Sequence, residues 1–162
     1  MLREPPSGAV ADRYGTNRAV DQQTGLVIHA SCVELAGTGV VLLGPSGCGK
    51  SDLALRLIDG GAQLVADDRL AVERWDDRLL ARPPEAIAGL IEVRGLGIMR
   101  LNHCPSSVLG LVVGLGDILP PRLPERMTHQ MLGVALPYIE LHPRAPSACA
   151  RIRLALAADR VE

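Results

Sequence analysis

The strongest constraint on this 162-residue chain is one glycine-rich segment that reads GPSGCGKS. It matches the phosphate-binding pattern GxxxxGK[ST], in which glycines let backbone N–H groups turn inward around an anion. Its residues are Gly44, Pro45, Ser46, Gly47, Cys48, Gly49, Lys50 and Ser51. Lys50 is the only lysine among 17 basic residues, and a compact ammonium fits a phosphate cradle better than a wide, planar guanidinium. The segment predicts a nucleotide site, with Lys50 on the phosphates and Ser51 on Mg²⁺.

The flanking residues place this segment between a strand and a helix. Residues 40–43 form a wholly apolar run, which is typical of a buried strand. After the segment, apolar residues recur at helical spacing until Gly60-Gly61, a helix stop signal. The N-terminal end of that helix would direct its partial positive charge at bound phosphate.

Composition limits the classes of function. The chain is long enough for one domain, and a net charge of −1 gives no electrostatic case for binding nucleic acid or a membrane surface. No apolar stretch reaches the length of a membrane span. The four cysteines show no CxxC spacing, which favours a reducing cytoplasm over a zinc site or a disulfide framework. Cys48, in the glycine-rich segment, is interpreted as a small filler residue or as a redox sensor.

The remaining pattern predicts an α/β domain over residues 25–162, preceded by a flexible arm over residues 1–24. The central sheet is expected to be mixed and largely flanked by antiparallel strands, because hairpin signals occur beside a strand–helix unit. Strands are predicted within 26–35, 40–43, 62–66, 70–75, 78–82, 108–115 and 132–141, with a turn over 36–39 and the last strand broken or placed at a sheet edge by Pro137. Helical turns are predicted at 85–91, a flexible loop at 95–97, an exposed proline-rich loop up to Arg126 and a helix at 147–158, with Ser147 as its N-cap.

Asp67 and Asp68 follow Lys50 by 17 and 18 residues, directly after a predicted strand. A carboxylate there could hold Mg²⁺ through water or accept a proton from an attacking hydroxyl. The same pair could also begin a turn.

Residue type alone does not decide between a functional and a structural role at three further places in the sequence. His29 lies in an apolar strand, where a histidine is more often structural than catalytic. Glu92 and Arg94 precede a glycine pair and suit either a metal- and phosphate-facing loop or an ordinary charged surface. Arg126 could be a mobile cation for a transferred phosphate or a solvated loop arginine.

Four segments, taken in order, resemble the catalytic domain of HPr kinase/phosphorylase, a bacterial enzyme that phosphorylates a serine of the phosphocarrier protein HPr. They are Ile28-His29, GPSGCGKS at 44–51, LVADDR at 64–69 and IEVRGLGIM at 91–99. The resemblance covers about residues 25 to 101. It implies a cytoplasmic ATP- and Mg²⁺-dependent serine kinase that acts on an HPr-type carrier, and a homo-oligomer, since the family forms hexamers.

The resemblance also implies a role for individual residues. Lys50 would bind phosphate, while Ser51 and Glu92 would hold Mg²⁺. Asp68, with Asp67 beside it, would accept the proton of the target serine. His29 would assist in the site, and Arg126 would align with a catalytic arginine.

The chain also departs from the family pattern. The family's N-terminal domain has no counterpart before the match, which implies a short form that consists of the catalytic domain. The segment tied to the reverse reaction, phosphorolysis of phospho-HPr, is replaced near Leu141-His142-Pro143-Arg144. The alternatives are an ATP-sensing regulatory module without phosphoryl transfer and a small-molecule kinase.

Overall fold

The computed structural model describes residues 17–21 and 25–161. Its strands are β1 (Asn17–Asp21), β2 (Gly25–His29), β3 (Ser31–Leu35), β4 (Thr38–Leu43), β5 (Gln63–Ala66), β6 (Arg69–Trp75), β7 (Arg78–Arg82), β8 (Leu90–Val93), β9 (Gly97–Arg100), β10 (Ser107–Leu115), β11 (Met127–Met131) and β12 (Val134–Leu141). Its helices are α1 (Lys50–Asp59) and α2 (Ala148–Ala157). None of the helices in the described part of the chain is long and apolar enough to cross a membrane.

Most strands join one mixed sheet, as the sequence predicts. Its order is β1-β2-β6-β7-β10-β4-β3-β5, with β12 also paired to β10 and β11 paired to β12. Strand β10 is parallel to β4 and β12, whereas the pairs on either side are antiparallel. Strands β8 and β9 form a separate hairpin. The α/β class and the mixed sheet are therefore confirmed.

The direction of the central strands decides where the polar loops gather. Strands β4, β10 and β12 are parallel, and β5 shares their direction because β3 is antiparallel to both β4 and β5. Their carboxyl ends therefore lie at one edge of the sheet, where Gly44, Asp67, Gly116 and His142 begin the following loops. Ligands of open α/β sheets bind at this edge.

The core has two layers, one on each face of the central strands. Along β4, Val40 and Leu42 pack on the side of α1 and α2, while Val41 and Leu43 pack on the side of β6 and β7. Side chains alternate along a strand, so a run that is buried on both faces must be apolar at every position. Each such side chain contributes roughly 1.5–3 kcal/mol of burial free energy, which fixes β4 and the loop that follows it.

Helix α1 begins directly at Lys50 because Gly49 adopts a φ of 111° that other residues rarely reach. Leu53, Ala54 and Leu57 are fully buried in the core. On the exposed face, Asp52 accepts a hydrogen bond from Arg56 at 3.1 Å. The helix ends at Gly60, the predicted stop.

Several sequence predictions are corrected by the structure. Residues 26–35 form two strands separated at Ala30, and β11 was not anticipated. Only Glu85–Ile87 is helical in the predicted 85–91 segment, as one 3₁₀ turn, and residues 95–97 form the tight turn of the β8–β9 hairpin and the start of β9.

The predictions for Pro137, Ser147 and the N-terminal arm have different outcomes. Pro137 continues β12 at a position paired with Thr128 of β11, before the pairing with β10 begins at Tyr138, so it lies at a local edge. Ser147 precedes α2, but its side chain makes no capping hydrogen bond within the described helix. Of the predicted arm, Asn17–Asp21 pairs with β2 as β1, and residues 1–16 and 22–24 lie outside the described residues.

Candidate active site

A cleft of about 650 Å³ opens at the carboxyl edge of the sheet. Its walls come from the glycine-rich loop, the first turn of α1, the ends of β2 and β5, the β8–β9 hairpin and the segment after β12. The residues that line it are His29, Ser31, Ser46, Gly47, Gly49, Lys50, Ser51, Asp52, Leu55, Asp68, Glu92, Val93, Arg94, Pro143 and Arg144. Most of the predicted site residues therefore lie together in one concave surface.

The glycine-rich loop over residues 44–49, called the phosphate loop below, has the backbone geometry of an anion cradle. Gly47 and Gly49 have φ values of 80° and 111°, which turn successive N–H groups in directions that a chain of L-residues rarely allows. Lys50 is buried, and its ammonium donates to the carbonyl oxygens of Gly44 at 2.7 Å and Pro45 at 3.0 Å. The only lysine of the chain is thus held inside its own loop.

Cys48 acts as a packing residue in this loop. A Cβ atom on Gly44 would lie 2.6 Å from the Cys48 sulfur and 2.9 Å from the Leu115 carbonyl oxygen. The thiol therefore occupies the space that the absent side chain of Gly44 leaves free. This contact agrees with the interpretation of Cys48 as a filler residue.

Asp67 is a buried hub that ties three segments together. Its Oδ1 accepts hydrogen bonds from the hydroxyls of Ser51 at 2.8 Å and Ser31 at 2.7 Å. Its Oδ2 accepts the backbone N–H of Glu92 at 3.2 Å. A carboxylate with three donors is held in one orientation, so Asp67 fixes the Ser51 hydroxyl beside the phosphate loop.

The side chain of Asp68 is exposed at the cleft, whereas that of Asp67 is buried. The φ of Asp68 is 68°, a conformation uncommon for a non-glycine residue, and its side chain is 66% exposed. The Oδ1 atom lies 3.2 Å from Nε2 of His29. The Asp68 carbonyl accepts the N–H of Ala30 at 3.1 Å, which joins the ends of β2 and β5. An exposed, oriented carboxylate can accept a proton from a docked hydroxyl.

The β8–β9 hairpin brings Glu92 and Arg94 to the same cleft. Both side chains are exposed, and Glu92 is held next to Ser51 through the shared contact with Asp67. Hydroxyl and carboxylate oxygens are hard donors that suit Mg²⁺, which usually takes one or two carboxylates and completes its shell with water and substrate phosphates. No group of three His, Cys, Asp or Glu side chains able to hold a metal occurs within 17–21 and 25–161. Ser51, Glu92 and Asp67 fit an ion that depends on the bound phosphate.

Arg126 is not brought to the cleft. It lies at the end of the proline-rich loop, exposed, and its guanidinium donates to the Arg160 carbonyl at 3.1 Å. Arg160 in turn donates to the carbonyl of Pro124. In this conformation Arg126 connects the loop to the segment after α2 and does not line the phosphate cradle.

Sequence reasoning missed two contributors to the cleft. Ser31 is fully buried, and its only signal is a polar residue inside an apolar strand run. The segment after β12 supplies Pro143 and Arg144, which the sequence marks only as a departure from the family pattern and not as part of the nucleotide site. Both come from positions distant in sequence, which only the strand order brings to the site.

The chain also matches a known protein family. Residues 22–105 match the family described as the HPr Serine kinase C-terminal domain. This range contains the phosphate loop, both aspartates, His29 and the β8–β9 hairpin.

Individual proteins agree with the family match. The chain is 32% identical over 124 residues to an HPr kinase/phosphorylase of Malacoplasma penetrans, an alignment that covers 68% of this chain and 41% of that protein. It is 47% identical over 78 residues to an HPr kinase/phosphorylase of a Thermoanaerobacter species, covering 48% and 26% of the two chains. These alignments therefore span less than half of the curated relatives.

A solved structure covers more of the fold. The structure of the Hpr(Ser) kinase/phosphatase from Coxiella burnetii superposes with a TM-score of 0.69 at 27% identity, over 82% of this chain and 99% of the other. The likeness therefore extends beyond the shared motifs to most of the fold, including its mixed sheet.

Proposed function

The chain belongs to the family of the HPr serine kinase C-terminal domain, and we propose from this premise that it transfers the γ-phosphate of ATP to a serine of an HPr-type phosphocarrier protein. The proposal covers the forward reaction. A cytoplasmic location belongs to the same proposal, and the free state of the four cysteines supports it.

One observation carries the proposal: an exposed carboxylate and a phosphate loop share one cleft. Asp68 stands beside His29, and the buried Asp67 ties the same turn to Ser51. A kinase needs a phosphate cradle and a proton acceptor at a fixed separation, because transfer depends on in-line positioning. The hydrogen bonds of the Asp67 hub hold these two parts in place.

In the proposed reaction each residue has a separate task. The phosphate-loop N–H groups and Lys50 bind the phosphates and offset their charge. Asp68 accepts the proton of the serine hydroxyl as that oxygen attacks, and His29 keeps its carboxylate oriented. When bound by Ser51 and Glu92, Mg²⁺ neutralises charge on the phosphates.

The test is an assay with Mg²⁺, γ-labelled ATP and a purified HPr-type carrier. The wild-type protein should label the carrier, and a carrier whose target serine is replaced by alanine should stay unlabelled. Asp68→Asn should lower the rate by about 10² to 10⁴ because it removes the proton acceptor. The ATP affinity of this variant, measured by calorimetry, should stay close to that of the wild type.

Asp77→Asn is a matched control, since Asp77 is an exposed aspartate in the β6–β7 turn and does not line the cleft. It should leave the rate unchanged. An Asp68→Asn protein that phosphorylates the carrier at the wild-type rate would remove Asp68 from the mechanism.

A second candidate, an ATP-sensing module without transfer, is favoured by the position of Arg126 outside the cleft. The same assay separates the two functions. Calorimetric binding of ATP without any label on the carrier would favour the sensor. Label on a small metabolite, supplied in place of the carrier, would favour a small-molecule kinase.

A further inference from the structure

The segment between β12 and α2, residues 142–147, forms the wall of the cleft next to the first turn of α1. Pro143 is buried and Arg144 is exposed, and both line the cleft. The family match ends at residue 105, so this wall lies outside it. The contacts of residues 142–147 therefore define the chemistry of this wall.

Pro143 joins this wall to the phosphate loop. A Cβ atom on Gly49 would lie 3.3 Å from Cβ of Pro143, so the proline packs closely on the loop backbone. The Pro143 carbonyl accepts a hydrogen bond from the Arg56 guanidinium, and Arg56 is held by Asp52 at 3.1 Å. The wall is thus anchored to α1 and to the loop that would hold the phosphates.

His142 fixes the other side of the same segment. Its Nε2 lies 3.4 Å from Oδ1 of Asp117, which follows β10. Its Nδ1 accepts the backbone N–H of Arg144 at 3.1 Å. Contacts at the ends of the parallel strands β10 and β12 therefore fix the position of the Arg144 backbone.

The cationic side chains of the cleft differ in whether they already have a hydrogen-bond or ion-pair partner within the protein. Lys50 donates to carbonyls of the phosphate loop, and His29 lies against Asp68. The guanidinium of Arg144, like that of Arg94 on the β8–β9 hairpin, forms no hydrogen bond or ion pair with any residue in the described part of the chain. Its backbone is fixed at the cleft, yet its charge is uncompensated there. A guanidinium so placed suits bidentate binding of phosphate oxygens.

We propose that Arg144 binds the polyphosphate of the nucleotide from the β12–α2 wall and is a determinant of nucleotide affinity. This inference rests on the ATP-binding part of the proposed function and not on the identity of the phosphate acceptor. Arg144 strengthens binding of the nucleotide itself, so its loss acts on the dissociation constant more than on the turnover number.

The experiment measures the dissociation constants of Mg²⁺–ATP and ADP by calorimetry for the wild type, Arg144→Gln and Arg144→Lys. Arg144→Gln should weaken ATP binding at least tenfold, which equals about 1.4 kcal/mol. Arg144→Lys should recover part of the loss because it keeps a positive charge without the bidentate fork. At saturating ATP the turnover number with the carrier should change less than threefold.

Arg151→Gln provides the matched control. Arg151 is an exposed arginine of α2, close in sequence but not part of the cleft, so its replacement removes the same charge elsewhere. It should leave ATP affinity within twofold of the wild type. An Arg144→Gln protein within twofold of the wild type, or an equal loss in Arg151→Gln, would overturn the inference.

The outcomes separate this inference from the proposed function. A wild-type protein that binds ATP without labelling the carrier, with weakened binding in Arg144→Gln, supports the inference and refutes the transfer to HPr. A wild-type protein that does not bind ATP refutes both.

Discussion

Asp67 and Asp68 are neighbours in the sequence with opposite environments. Asp67 is buried and bonded to Ser51 and Ser31, while Asp68 is exposed and lies against His29. Spacing from Lys50 predicts that this pair belongs to the site, but not which carboxylate faces the cleft. That depends on the positive φ of Asp68 and on a buried serine in a distant strand, which a local pattern does not contain.

Lys50 gives a prediction at the scale of one side chain. Lys50→Arg should lower kcat/KM for carrier phosphorylation at least 100-fold although the charge is kept. The buried ammonium fits between the carbonyls of Gly44 and Pro45, whereas the planar guanidinium is wider and cannot enter the same space. Initial rates with labelled ATP measure the loss.

A thermal melt of the Lys50→Arg protein should show a cooperative transition within a few degrees of the wild type. With the fold intact, full kinase activity in this variant would contradict the assignment of Lys50 to phosphate binding.

At the scale of elements, the sequence predicts those whose signals are local. Strand β4, the phosphate loop and α1 follow from an apolar run, a glycine motif and helical periodicity. The β8–β9 hairpin was missed because all four residues of β9, including Ile98 and Met99, are exposed, so the strand has no buried face to create an alternating pattern. Strand β11 contains the polar residues Thr128, His129 and Gln130, and was missed for lack of an apolar pattern.

The junction between α1 and the β12–α2 wall yields a prediction with a close control. Gly49 and Gly61 both have a φ of 111°, but only a Cβ on Gly49 would press on Pro143. Replacement of either by alanine should cost about 1–2 kcal/mol through backbone strain. Gly49→Ala should in addition weaken ATP binding, because the wall that carries Arg144 must move.

Urea unfolding measures the first effect and calorimetry with Mg²⁺–ATP the second. Equal ATP affinity in Gly49→Ala and Gly61→Ala would show that the contact with Pro143 has no influence on the nucleotide site.

At the scale of the whole molecule, the arrangement of the sheet brings together residues that the sequence keeps apart. The parallel strands β4, β5, β10 and β12 end at one edge, which unites Gly44, Asp67, Asp117 and His142. A family resemblance anticipates the part of this edge within residues 25–101. Arg144 comes from beyond it, where only the pairing of β10 with β12 reveals its place.

Because the thiol of Cys32 is buried in the core, the free energy of unfolding should depend on pH in the alkaline range. Burial, and then the nearby Cys104 and Glu34, raise the pKa of Cys32 far above its ordinary value. Cys104 also has a raised pKa, first through burial and then through its hydrogen bond to Glu34. These thiols stay protonated in the folded protein at a pH where the unfolded chain releases their protons. The folded state then holds more protons, so the free energy of unfolding must fall as pH rises above the unfolded value of about 8.5.

The chain suits this measurement because it has one lysine and two tyrosines, so few other groups titrate above pH 9. Between pH 9 and 10, the wild type should lose about 1 kcal/mol more of its free energy of unfolding than Cys32→Ala, since each thiol contributes a slope of up to about 1.4 kcal/mol per pH unit.

Urea unfolding at pH 7.5, 9 and 10 provides the values, with Cys149→Ala as a control at a partly exposed cysteine. Cys32→Ala should have a lower free energy of unfolding than the wild type at neutral pH, because it leaves a cavity in the core. This constant difference does not change how steeply the free energy of unfolding falls with pH. Parallel pH profiles for the wild type and Cys32→Ala would mean that the Cys32 thiol ionises as readily in the folded core as in the unfolded chain.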